Sequence, residues 1–212
     1  MKLSVFLFVL FSFIVFGANA QVFPSELWHD GQVTLTDNSI KQGSIKYDLD
    51  RQTLQLKIGQ RTETYDASQV ASFSFLQESI NLRRTFYSLP YAIQNNYKRP
   101  VFFEVVITGK MTLLVREYVV IRNNNTPSSF NSRYRYRDYS NFNTSRSYLA
   151  YKMFFVKEDG VIRESSGKRN DILYEFGAAR SELKKYVKKE KLKLDQIEDV
   201  AKLVLHYNEE IN

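Results

Sequence analysis

The 212-residue chain contains no cysteine and only two histidines, four prolines and eight glycines. Without cysteine it has no disulfide bonds, no lipid attached through cysteine and no cysteine-containing zinc site. His29 and His206 lie far apart, and neither has a second histidine at a metal-site spacing. The motifs G-x-S-x-G and H-E-x-x-H are also absent. We therefore expect no catalytic residues, no metal site and no cofactor.

Long apolar runs are absent except at the N-terminus. Lys2 is followed by the uncharged run 3–16 and by the small residues 17–20, which is the order of a cleavable signal peptide. The run is shorter than the roughly 20 apolar residues that cross a bilayer as a helix. We predict a signal peptide over residues 1–20 and no transmembrane segment after its cleavage. The mature protein, from Gln21, is then periplasmic, on the cell surface or extracellular.

Aromatic residues are abundant, with 16 phenylalanines and 14 tyrosines, which favours a sheet-rich folded protein. Alternating polar and apolar residues predict five short strands between residues 28 and 75. We interpret residues 21–77 as a small β-barrel or a twisted antiparallel meander, with a bulge or bend at Gly43. Residues 78–99 have no dominant period, and we interpret them as a connector.

The central segment, residues 78–169, predicts β-hairpins because its strands are rich in β-branched and aromatic residues. The paired strands are 101–107 with 111–121, and 148–156 with 161–164. Between the two hairpins, the polar residues 123–147 predict a long exposed loop, which we call the Tyr/Arg loop. Loops of that length in a compact domain are uncommon, and they are either functional or disordered.

The last segment, residues 170–212, changes to apolar residues at spacings of three and four, which predicts helices. Gly177 weakens the first helix, and Asp195 with Glu198 has the pattern of a capping box at the start of the second. We predict a C-terminal helical hairpin. The fold class is therefore α+β: an N-terminal small β-barrel or twisted antiparallel meander, central β-hairpins and this helical hairpin.

Glu104 is the one acidic residue in an apolar run, between Phe103 and Val105. A buried carboxylate is costly unless it is paired, so we interpret Glu104 as the partner of a cation such as Arg116. The alternative is a carboxylate-dependent hydrolase, which needs two suitably separated acids. That alternative requires a pocket with Glu104, a second acid and no cation nearby.

The Tyr/Arg loop contains a strip in which cations and rings alternate. Such a strip can stack on bases or sugars while its guanidinium groups meet phosphates or carboxylates, and it can equally contact a protein or nothing. Its predicted binding residues are Arg133, Tyr134, Arg135, Tyr136, Arg137 and Tyr139. If the ligand is an anionic polymer, such as nucleic acid or acidic glycan, binding should weaken steeply with added salt.

Three segments, 28–35, 43–48 and 70–75, resemble a group of exported proteins of unknown function from Bacteroidetes-type bacteria. The resemblance continues more loosely through 103–109 and 185–208, and it implies an envelope location without a mechanism. The opening strands are also similar to Sm-like or SH3-like small barrels.

We expect a noncatalytic binding or structural role in the cell envelope, with an envelope protein as the partner. Anionic-polymer binding through the Tyr/Arg loop and carboxylate-dependent hydrolysis are the alternatives. Nothing in the sequence specifies the oligomeric state.

Overall fold

The computed structural model describes residues 23–93, 96–123 and 145–211. The predicted signal peptide lies outside these residues, as do residues 124–144 of the Tyr/Arg loop. The end residues of that predicted loop, 123 and 145–147, belong to strands. The described strands are β1 His29–Leu35, β2 Ile40–Asp48, β3 Thr53–Ile58, β4 Arg61–Asp66, β5 Val70–Gln77, β6 Leu82–Tyr91, β7 Arg99–Ile107, β8 Thr112–Asn123, β9 Ser145–Val156 and β10 Ile162–Glu164. The described α-helices are α1 Arg169–Tyr174, α2 Arg180–Lys189 and α3 Ile197–Glu210.

The ten described strands form one antiparallel sheet in the order β10-β9-β8-β7-β6-β5-β1-β2-β3-β4. A sheet-rich α+β fold with C-terminal helices is therefore confirmed, and the central hairpins β7–β8 and β9–β10 are present. The predicted small barrel is wrong, because the sheet is open. β5 pairs with β1 on one edge and with β6 on the other. Neither edge of β5 is therefore free to pair with β4, which is the pairing that would close a five-stranded barrel.

β6 lies within the segment that we interpreted as a connector, and that interpretation is wrong. Its inward-facing residues Arg84 and Phe86 are buried, whereas the next residue, Tyr87, faces the other side of the sheet and is exposed. An arginine at an inward position hides the apolar alternation by which a strand is recognised. β5 and β6 pair with each other, so one sheet continues across the boundary between the predicted segments 21–77 and 78–169.

One face of the sheet, which we call the inner face, carries two buried cores. Phe86 and Phe102 pack with the apolar residues of β1, β2, β3 and β5 in the first core. Further along the same face, Val115 and Phe155 pack with Leu183 and the other buried residues of the helices in the second core. The opposite face buries a smaller cluster of Val101, Phe103, Leu114 and Phe154. Alternate residues of β7 thus serve opposite faces.

The C-terminal helices differ from the prediction in two places. Gly177 adopts a φ of +54°, in the left-handed region, so the chain breaks between α1 and α2 instead of continuing as one weakened helix. The predicted capping box of Asp195 and Glu198 is not formed, and α3 begins after Gln196. Asp199 accepts a hydrogen bond from the backbone N–H of Lys193 at 2.9 Å and orders the turn before α3.

Among the described helices, none combines the length and the apolarity that a membrane-spanning helix requires.

Gly31 and Gly43 lie opposite each other on β1 and β2. A Cβ atom on Gly31 would lie 2.2 Å from the carbonyl oxygen of Ser74, and one on Gly43 would lie 2.4 Å from that of Lys57. The predicted bulge at Gly43 is not present, because the β1–β2 register runs through this pair without a shift. Both positions require glycine because the backbone of the next strand approaches too closely for any side chain.

We predict that Gly31→Ala destabilises the protein by about 1–3 kcal/mol, the usual cost of forcing extra atoms into a packed site. Urea unfolding followed by circular dichroism measures the effect. Gln32→Ala is the matched control, because Gln32 is the next residue of β1 and is exposed. Equal unfolding midpoints for the two variants would contradict the close approach at Gly31.

Candidate functional site

Four polar side chains meet on the inner face, and we call Tyr47, Arg84, Glu104 and Glu117 the Arg84 cluster. Arg84 Nε donates to Glu104 Oε1 at 2.8 Å, and Arg84 Nη2 donates to Glu104 Oε2 at 2.6 Å. Arg84 Nη2 also donates to Glu117 Oε2 at 3.1 Å, and Arg84 Nη1 donates to the Tyr47 hydroxyl at 3.0 Å. The Tyr47 hydroxyl in turn donates to Glu117 Oε1. One guanidinium on β6 thus binds side chains from three other strands of the sheet, β2, β7 and β8.

The Arg84 cluster joins strands that are distant in the sheet, since β2 and β8 are separated by β1, β5, β6 and β7. The sheet curls so that the β2–β3 turn reaches the central strands. At this turn Leu49 accepts a hydrogen bond at 3.1 Å through its carbonyl oxygen from Arg116 Nη2, and Gln52 Oε1 accepts one at 2.6 Å from the backbone N–H of Phe102. These contacts tie the β2–β3 turn to β7 and β8.

The cluster is deeply buried, with Arg84 exposed by 6% and Glu117 by 5%. Burial alone lowers the pKa of Arg84, but the hydrogen bonds and charges of Glu104, Tyr47 and Glu117 outweigh it and raise that pKa overall. Burial raises the pKa of Tyr47. Arg84 is therefore a cation and Tyr47 a neutral hydrogen-bond donor at physiological pH.

The interpretation of Glu104 as a member of an ion pair is confirmed, but its predicted partner is wrong. The cation is Arg84, on the neighbouring strand β6. Arg116 lies 5.8 Å from the ring centroid of Phe103, a residue of the cluster on the opposite face. Glu104 and Glu117 share Arg84, so a cation lies between the two acids. The hydrolase alternative required that no cation lie near them.

A small cleft of about 260 Å³ opens over Tyr47 and Glu117, between the β2–β3 turn and β8. Its other charged lining residues are Glu26, Lys46, Asp48 and Asp50. Among the described residues, no three histidine, aspartate or glutamate side chains are grouped as metal ligands.

A larger recess of about 510 Å³, which we call the Trp28 cleft, lies where β1 begins and β5 ends. Trp28 is 43% exposed and Leu27 is 47% exposed, so two adjacent large apolar side chains meet solvent at this recess. The lining residues are Pro24, Leu27, Trp28, His29, Asp30, Leu76, Gln77, Glu78 and Ser79.

His29 fixes one wall of the Trp28 cleft. Its ring is buried and stacks on Phe75, with ring centroids 4.5 Å apart. Its Nε2 lies 2.8 Å from the carbonyl oxygen of Pro24. Because a carbonyl oxygen only accepts, Nε2 must carry the proton, and Nδ1 of the neutral ring is an acceptor. His29 therefore has a packing role, and it holds the short 3-10 turn Pro24–Glu26 against the sheet.

Gln77 connects the Trp28 cleft with the Arg84 cluster. Its Oε1 accepts a hydrogen bond from Arg84 Nη1 at 3.4 Å, and its Nε2 donates to Ser79 Oγ at 3.3 Å. The turn that forms the second wall of the cleft is therefore tied to the buried guanidinium.

No family model, curated protein or solved structure matches this chain.

The predicted binding residues Arg133, Tyr134, Arg135, Tyr136, Arg137 and Tyr139 all lie outside the described residues, so their role stays a prediction. The Trp28 cleft could not be predicted from the sequence, because no motif marks it. The only signal was the adjacent large apolar pair Leu27 and Trp28 directly before the first strand.

We predict that Arg84→Met destabilises the protein by about 3–5 kcal/mol, because it leaves two buried carboxylates without their cation. Arg83→Met is the matched control, since Arg83 is the exposed neighbour on β6, and it should change stability by no more than about 0.5 kcal/mol. Chemical denaturation at neutral pH measures both.

A further variant separates charge from packing. Adding Glu104→Gln and Glu117→Gln to Arg84→Met removes the uncompensated charge, so this triple variant should be more stable than Arg84→Met alone. A triple variant no more stable than Arg84→Met would show that Arg84 acts through its packed hydrocarbon stem alone.

We predict that Tyr47→Phe flattens the alkaline loss of stability. Since burial raises the pKa of Tyr47 above its ordinary value of 10.0, the unfolded chain releases this proton before the folded one. Stability from Tyr47 is therefore present below pH 10 and lost above it, by up to about 1.4 kcal/mol per pH unit. The free energy of unfolding, measured from pH 9 to 11, should decline more steeply with pH in the natural protein than in Tyr47→Phe. Parallel declines would contradict the shielded hydroxyl.

Proposed function

We propose that this protein is an exported, noncatalytic binding module of the cell envelope, and that the Trp28 cleft is its contact surface for an envelope protein. The observation that carries the proposal is the group of exposed apolar side chains around the cleft. Ile80 is 59% exposed and follows Ser79 of the lining, while Leu82 is 51% exposed and lies opposite Gln77 in the β5–β6 register. Exposed apolar groups of this kind mark interaction sites.

The noncatalytic part of the proposal is supported by the Arg84 cluster. Glu104 and Glu117 are engaged by Arg84 and Tyr47 in contacts that join β2, β6, β7 and β8. Their hydrogen bonds serve the curvature of the sheet. Export is supported by the signal-like order of residues 1–20 and by the resemblance to exported proteins.

The Tyr/Arg loop is the site of the anionic-polymer alternative, and variants can separate it from the Trp28 cleft. The cleft variant is Leu27→Ser with Trp28→Ser. The loop variant changes Arg133, Arg135 and Arg137 to Gln. The control is Val161→Ser, because Val161 is 46% exposed in the β9–β10 turn and lies away from the cleft residues.

We predict that cross-linking of the purified protein to its native envelope fraction captures a defined protein partner in a fixed ratio. The cleft variant should reduce capture by about tenfold or more, since a tryptophan that a partner buries is a typical interface hot spot. The Val161→Ser control should leave capture unchanged. Capture that is lost only in the loop variant would contradict the cleft as the contact surface and move the site to the Tyr/Arg loop.

A further inference from the structure

We infer that the Trp28 cleft receives a basic side chain, arginine or lysine, from the protein partner. This inference rests on the proposed function and specifies the chemistry of the partner. Three features of the lining carry it: its charge, its unused hydrogen-bonding groups and its apolar walls.

The cleft is acidic although the chain as a whole is basic, with a formal net charge of +7. Asp30 and Glu78 line it, and the lining contains no lysine or arginine. In the described part of the chain, neither carboxylate forms an ion pair. A positively charged group is therefore attracted to this recess.

The carboxylates of the cleft have unused acceptor positions. The Gln77 amide is engaged on both sides, by Arg84 and by Ser79. Asp30 Oδ1 accepts one hydrogen bond, from Ser44 Oγ at 3.1 Å, although a carboxylate has about four acceptor positions. A ligand that satisfies these carboxylates must donate hydrogen bonds, as guanidinium and ammonium groups do.

The walls suit the rest of a basic side chain. Pro24, Leu27 and Leu76 offer apolar surface for its aliphatic stem. The Trp28 ring offers the aromatic face that binds cations best, and a planar guanidinium can also stack on it. The exposed apolar residues around the cleft favour a protein partner over a free amine, since an apolar surround excludes water from the contact.

Two cations limit the contribution of Asp30. Lys57 and Arg83 line an adjoining cleft that shares Asp30 with the Trp28 cleft. Glu78 borders the Trp28 cleft alone. We therefore expect Glu78 to contribute more than Asp30 to the binding of a cation.

Trp28 is the only tryptophan of the chain, so its fluorescence reports on this site alone. The probe is a tetra-arginine peptide, and the matched control probe is tetra-citrulline, which has nearly the same shape without the charge. We predict a saturable change of Trp28 emission with tetra-arginine and none with tetra-citrulline. The double variant Asp30→Asn with Glu78→Gln should weaken binding by about tenfold, whereas Glu158→Gln, an exposed change in the β9–β10 turn, should not.

Three results would overturn the inference: equal responses to the two peptides, no response to tetra-arginine, or equal weakening by Glu158→Gln and by the cleft variant. A response to phosphatidylethanolamine vesicles without a response to tetra-arginine would also overturn it, in favour of a membrane surface. If cross-linking still captures a partner through Leu27 and Trp28 while tetra-arginine gives no response, only the inference of a basic side chain fails. If that capture is also independent of the cleft, the proposed function fails as well.

Discussion

The structure depends on the burial of one guanidinium group. Arg84 lies on the inner face between Phe86 and the two carboxylates, where an unpaired charge would be very costly. Its compensation comes from Glu104 on β7, Glu117 on β8 and the Tyr47 hydroxyl on β2, and these groups meet only if the sheet curls. The curvature and the ion-pair network therefore require each other. Flattening the sheet would withdraw Tyr47 and leave Glu117 with fewer partners.

The same curl shapes the surface that we propose for binding. The backbones of neighbouring strands approach so closely at Gly31 and Gly43 that side chains are excluded there. Two residues before Gly31, His29 stacks on Phe75 of the first core and holds the N-terminal turn by a hydrogen bond. Trp28 is thus exposed on a base that is itself packed against the core. A rigid base lowers the entropy that an exposed aromatic side chain loses on binding.

Local pattern allowed most strands to be predicted, and non-local pairing explains the errors. β2, β3 and β7 carry regular apolar positions that a single sequence reveals. β6 does not, because Arg84 occupies an inward position that only Glu104 and Glu117 make tolerable. Glu104 could be recognised as an anomaly, but the identity of its cation depends on which strand lies beside β7. The barrel prediction failed for the same reason, since closure depends on the partner of β5 and not on the strands themselves.

A buried ion pair contributes little to stability compared with an apolar core of equal volume, so its retention calls for another reason. Register is the reason that this geometry supports. A slip of β6 by one residue would turn Arg84 outward and leave both carboxylates without their cation. The Arg84 cluster therefore fixes the register of β6 against β7. Gln77, which lies on β5 opposite Leu82, is tied to this cluster by its hydrogen bond to Arg84. Because Gln77 also binds Ser79, the buried charge ultimately positions the wall of the exposed Trp28 cleft.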